Sequence, residues 1–191
     1  MSEGPERRPM APQDEPPAPA QLLTTGVAAN LLAVTAALAW LGWRGRLEHL
    51  GEIAVGGHGP LVDLGVGVAV GVGLAFLQAL AAKRSAALQD LDAAARRLLD
   101  GLGDTGRSVM LLASVLGEEF LVRGAALDAI GPFGAVALFL GVIIASGMAR
   151  VWLPALIGTT ILVAMIQSGF GLLATAVANA VLNHCNMRRL L

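Results

Sequence analysis

The sequence has no tyrosine, three tryptophans and five phenylalanines, so the large rings that fill most soluble cores are nearly missing. Its single cysteine, Cys185, excludes an internal disulfide and reads as a small structural thiol. Charge is also scarce. Asp, Glu, Lys and Arg make up 14% of the chain and the formal net charge is -1, which leaves no basic field to bind nucleic acid. What is abundant is apolar: 55% of residues are hydrophobic, 24 are glycine, and the mean hydropathy is +0.70. Such a chain belongs in a lipid bilayer, its helices packed through small side chains.

The opening "MSEGPERRPMAPQDEPPAPA" holds six prolines, mixed charges and no apolar period, so residues 1–20 read as a disordered cytoplasmic tail and not as a signal peptide. A hydrocarbon layer of roughly 30 Å requires about 20 apolar residues per helix. Stretches of that kind fall at 21–43, 60–82, 108–130, 133–149, 151–168 and 170–187. The expected fold is therefore an all-α integral membrane protein of about six transmembrane helices. Two of them and an interfacial helix occupy 21–106, and a four-helix core occupies 107–191. Gly67 and Gly71 form a GxxxG in the second span, which permits close helix approach. Between the second and third spans, "SAALQDLDAAARRLLDGL" places Leu88, Leu91, Ala95, Leu98 and Leu99 on one stripe, as in an amphipathic helix lying on the membrane surface. A solvated helical linker fits the same pattern.

Orientation follows from the basic residues. With the N-terminus cytoplasmic, that side collects Arg7, Arg8, Lys83, Arg84, Arg96, Arg97, Arg107, Arg150, Arg188 and Arg189, against Arg44 and Arg46 opposite. This reading places the chain in the cell's cytoplasmic membrane, surrounded by lipid, with both termini inside.

Three charges fall within the third span, where lipid exposure costs about 2.5–3.5 kcal/mol each. Glu119 and Arg123 are four apart in the favoured acid-before-base order and can pair. Glu118 is rotated by roughly 100° and has no partner on its own helix, so it is the carboxylate available to act as a base. An internal ion pair that locks helices together is the alternative. In the last span Asn179 and Asn183 are also four apart and share a face. His184 points elsewhere and reads as an interfacial residue. His49 and His58, nine apart in a glycine-rich loop, are a weak metal signal.

The segment "EEFLVRG" matches the EExxxRG signature, and through it the chain resembles the CPBP family of intramembrane endopeptidases, which includes CAAX prenyl-protein proteases and bacteriocin-processing or self-immunity (Abi) proteins. The likeness extends over about 107–187. After the signature come a turn at "GPFG", two spans, and "SGFGLLATAVANAVLN", which looks like the family's "TGSLLAPILAHALNN" segment. The resemblance implies that Glu118 and Glu119 are the acid pair that activates water and that Arg123 is the motif arginine. Two departures stand out. Where the family has FxxxH, this chain has "IIASGMA", with Ile143 near the Phe and Ser146 or Gly147 near the His. Where it has HxxxN, Asn179 replaces the His and Asn183 keeps the Asn.

Asparagine can donate to an oxyanion but neither shuttles protons nor binds zinc well, so no metal and no cofactor are expected. The resemblance then implies an endopeptidase in which Glu118 polarises water, Glu119 and Arg123 orient the site, Asn179 and Asn183 position the scissile carbonyl, and Ser146 contacts a transmembrane or lipidated peptide. It equally implies a catalytically degenerate member that binds such a partner or supports an active paralogue. A proton-relay transporter fits less well, because no inverted repeat is visible.

Overall fold

A computed structural model of the chain describes residues 18–146, 149 and 152–191, and every regular element among them is helical. The helices are α1 (Pro19–Trp43), α2 (Leu50–Ala54), α3 (Pro60–Ala82), α4 (Ala86–Asp100), α5 (Asp104–Glu118), α6 (Leu127–Ala145), α7 (Trp152–Gln167) and α8 (Leu172–Leu190), with a short 3₁₀ turn at Leu47–His49. Between α5 and α6 the chain stays helical but in π form over Glu119–Ala126. Of the tail expected at 1–20, residues 1–17 lie outside the described residues, as do Gly147 and Arg150. Pro19 already sits in the first turn of α1, where its missing N–H costs nothing.

Among the described residues three helical stretches are long and apolar enough to cross a membrane: Pro19–Trp43, Pro60–Ala82 and Asp104–Ala145. Their apolar side chains are largely exposed, as with Leu32, Leu61, Phe76 and Phe133, which identifies a membrane protein. Six spans were expected. Helices do form at the last two of the expected positions, but α7 has 16 residues and α8 carries Asn179, Asn183, Asn186, Arg188 and Arg189, so neither meets the length and polarity of a lone span.

Asp104–Ala145 is not one straight rod. Gly131, at φ 71° and ψ -179°, adopts a backbone that side-chain-bearing residues avoid, and Pro132 starts the next helical run. Ala135 then packs against Val122 and Ala126, a contact impossible along a straight helix rising 1.5 Å per residue. The remainder of α6 therefore runs back beside the π-helical segment.

Two parallel helix pairs organise the bundle. α1 lies alongside α5, with Gly26 at Met110, Asn30 at Gly117 and Trp40 at Asp128. α3 lies alongside α8, with Gly67 against Ala174, Gly71 against Ala178 and Gln78 bonded to Asn186 at 3.0 Å. The expected division at 106 and 107 thus separates segments that pack across one another. One end of the bundle collects the loop after α1, Gly131 and the turn before α8. There Asp63, fully buried in α3, accepts from the N–H groups of Gly56 and Gly171, both at 3.1 Å, and Gly57 donates to Gly169 at 2.9 Å. Asp128 binds Arg46 at 2.9 Å and Trp40 at 3.2 Å. The opposite end holds the start of α1, the end of α8, and α4, which Asp92 ties to Arg189 at 2.8 Å. Leu88 of α4 is buried on Ala82 with Ile143 alongside, whereas Arg96 and Arg97 are exposed. The side chains of Leu91 and Leu98 lie outside the described residues.

A Cβ placed on Gly67 or Gly71 would stand 2.5 or 2.6 Å from the carbonyl oxygen of Ala174 or Ala178, whereas one placed on Gly65 or Gly73 meets nothing within 4 Å. Gly67→Ala and Gly71→Ala are therefore expected to lower the detergent melting temperature, each costing about 1–3 kcal/mol by overpacking. Gly65→Ala and Gly73→Ala should leave it unchanged or raise it, since alanine is the better helix former.

Candidate functional site

The two parallel pairs bring the end of α5 and the π-helical segment against the middle of α8. Glu119 is 1% exposed and Arg123 3% exposed, and their side chains form an ion pair. A buried pair is tolerable only when its remaining polar atoms are also satisfied. α8 supplies the partners. Thr175 donates to Glu119 Oε2 at 2.6 Å, and Asn179 Nδ2 donates to Glu119 Oε1 at 3.2 Å. The same nitrogen donates to Glu118 Oε2 at 2.9 Å, and Asn183 Nδ2 donates to Asn179 Oδ1 at 2.9 Å. Ionised carboxylates only accept, so the Asn179 amide must turn its nitrogen toward them, and both of its hydrogens are engaged. The partner that Glu118 lacks on its own helix is thus provided by α8.

The backbone form is part of the site. π-helical turns are rare and frequent at functional positions, and here they cover Glu119 through Ala126, the segment that carries the buried pair. Close approach of the neighbours is permitted by small residues. Gly117, one position before Glu118, leaves room for Asn30 of α1, and Gly124, one position after Arg123, lies near Leu41 and Leu172.

Glu118 is half-buried and borders a cavity of about 270 Å³, together with Arg123, Asn179, Asn183 and Thr159. Phe139, Ile143 and Leu162 form apolar wall, and Gln78 of α3 contributes a polar edge. A second cavity of about 380 Å³ opens at the loop end between Arg46, Asp128 and Gln167, and Arg123 borders it too. The guanidinium therefore stands between two hollow regions of the bundle.

Of the residues singled out in the sequence, Glu118, Glu119, Arg123, Asn179 and Asn183 come together. Ser146 does not. It is exposed past the end of α6, where its hydroxyl donates to the Ile143 carbonyl at 2.9 Å, completing the last turn of its own helix. Ile143, one turn earlier, is the residue that faces the cavity. Thr175 joins the site beyond the residues expected from the sequence; it lies four residues before Asn179, so Thr175, Asn179 and Asn183 form one polar stripe legible from spacing. Thr159 and Gln78 are polar residues in otherwise apolar stretches, a pattern that marks burial against protein but not against which helix.

The histidines lie elsewhere. His58 stacks on Phe170 with ring centroids 4.6 Å apart and bonds the Ser168 carbonyl, while His49 is exposed between Glu48 and Glu52. Among the described residues no three His, Cys, Asp or Glu side chains are grouped as metal ligands. Comparison with known proteins returns no match: no family model, no curated protein and no solved structure corresponds to the chain.

Substitution separates the two glutamates. Glu119→Gln leaves Arg123 buried without its counter-charge and is expected to cost about 3–5 kcal/mol, read as a lower melting temperature and poorer expression in detergent. Glu118→Gln, half-buried and held by one amide, should cost about 1 kcal/mol or less. Equal losses would contradict the distinct environments of the two carboxylates.

Proposed function

We propose that this chain is a CPBP-like intramembrane hydrolase in which Glu118 activates water to cleave a peptide bond of a transmembrane or lipidated substrate. The observation that carries the reading is Glu118 itself. Among the described residues only its Oε2 is engaged, by Asn179, and its side chain borders a cavity beside the buried Arg123. Glu119, by contrast, has both oxygens engaged by Arg123, Thr175 and Asn179. It positions the site, and Glu118 is the carboxylate left to do chemistry.

The steps balance with one water and one carboxylate. Glu118 takes a proton from water as the oxygen adds to the scissile carbonyl carbon, giving a tetrahedral oxyanion. When the C–N bond breaks, the same proton passes from Glu118 to the departing nitrogen, leaving an acid and an amine. Asn179 has no amide hydrogen left to hold the carbonyl, so that task falls to the second N–H of Asn183 and to Arg123. The surrounding apolar wall excludes bulk water and strengthens these hydrogen bonds.

A specific observation favours a second reading. At Asn179 the site holds an amide that cannot carry a proton, and its hydrogens serve the two carboxylates instead. In that reading the cavity binds a membrane-embedded or lipidated partner without cleaving it, or supports an active paralogue.

The topology belongs with either reading. Both ends of the described chain lie at one end of the bundle, with Lys83, Arg84, Arg96, Arg97, Arg107, Arg188 and Arg189, while Arg44 and Arg46 lie at the other. This distribution supports six crossings of the cytoplasmic membrane with both termini inside.

Purified protein incubated with farnesylated and unlipidated transmembrane peptides, read by mass spectrometry, tests the chemistry. Glu118→Gln should abolish cleavage while the protein still melts near the wild-type temperature. Loss of cleavage in parallel with stability would instead assign Glu118 a structural role. For topology, single cysteines at positions 50 and 186, introduced with Cys185 replaced, should label from opposite sides of the membrane.

A further inference from the structure

Thr159, on α7, is 2% exposed, and its hydroxyl oxygen has no hydrogen-bond partner among the described residues. Buried hydroxyls without a partner are uncommon, because leaving one unmade costs about 1–3 kcal/mol. A threonine in a helix ordinarily meets this need by bonding a carbonyl one turn earlier, as Thr24 and Thr35 do on α1. Thr159 does not. Its neighbour Thr160 is exposed, so the position and not the helix sets Thr159 apart.

The side chain borders the same cavity as Glu118, and it does so from a different helix. Arg123, on that cavity too, has an equally buried Nε with no partner. Thr159 and Arg123, each with a buried donor that lacks an acceptor, and Glu118, a carboxylate able to take a proton, thus line one hollow from two helical runs. The group that satisfies all three presents an acceptor oxygen next to a proton-bearing atom, as a hydrated peptide carbonyl does.

We propose that Thr159 is a substrate-contacting residue of this site, its hydroxyl donating with Arg123 Nε to the carbonyl oxygen as that oxygen gains negative charge. This deepens the hydrolase reading and rests on it. It also accounts for how a site with asparagine at position 179 and serine held away at 146 stabilises an oxyanion: α7 adds a donor beside Asn183 and the Arg123 of the π-helical segment.

The test compares Thr159→Val, Thr159→Ser and Thr160→Val in the full chain. Valine keeps the shape and removes an unpartnered hydroxyl, so the melting temperature should hold or rise. Cleavage of the farnesylated and unlipidated peptides should nevertheless fall about 100- to 1,000-fold, the usual effect of losing one oxyanion donor. Affinity for a peptide phosphinate, whose charged oxygen mimics the tetrahedral intermediate, should weaken in step, while Thr159→Ser restores both and Thr160→Val changes neither. If Thr159→Val cleaves and binds the phosphinate like wild type, the role of Thr159 is overturned and the hydrolase reading stands. If wild type cleaves none of the peptides and does not bind the phosphinate, both are overturned.

Discussion

Everything in the centre of this bundle depends on the need to satisfy one buried ion pair. Glu119 and Arg123 are almost wholly removed from solvent within a protein whose outer surface is apolar. Two charges in such a place repay their desolvation only if geometry is good and the remaining polar atoms find partners. The partners come from a helix more than fifty residues away in sequence, at Thr175 and Asn179. The pair therefore fixes which face of α8 turns inward, and with it the placing of Asn183 and Glu118 around a shared cavity.

Glycine makes that placement possible. In lipid there is no hydrophobic force between helices, and association rests on close packing and hydrogen bonds. Gly67 and Gly71 let the α3 backbone reach the carbonyls of Ala174 and Ala178, one residue from Thr175 and Asn179 respectively. Asp63 holds the loop end of the same pair by accepting from Gly56 and Gly171. α8 is thus held along its length by α3 on one side while it serves the glutamates on another.

The division of labour between adjacent carboxylates follows from this geometry. Residues 118 and 119 differ by one step of rotation, yet one is sealed by three donors and the other borders a hollow. Asn179 serves both, which ties the position of the outer carboxylate to that of the inner pair. In the proposed hydrolase reading, Glu118 is the base held without a histidine, and the same carboxylate then acts as proton donor. The unpartnered hydroxyl of Thr159 and Nε of Arg123 supply the complementary polarity.

Composition alone determined that the chain is helical and membrane-embedded, because a backbone in lipid must satisfy its own hydrogen bonds. Local spacing determined more: the Glu119–Arg123 pair and the shared face of Asn179 and Asn183 each lie within four residues, which helical periodicity encodes directly, and the GxxxG marks a face open to close approach without naming the helix that meets it. The six spans read from hydropathy go beyond the three stretches that are long and apolar enough among the described residues, because α7 is apolar but only 16 residues long and α8 carries the asparagines and arginines that lower its hydropathy. Spacing misplaced Ser146, which lies at a helix end where its own backbone offers an acceptor, and gave no account of the π-helical segment. Only the tertiary structure decided that Thr175 completes Glu119, that Asn179 bridges both carboxylates, and that Thr159 shares the cavity. Those relations join residues about forty to sixty positions apart, and the helical period says which residues share a face but not which faces meet.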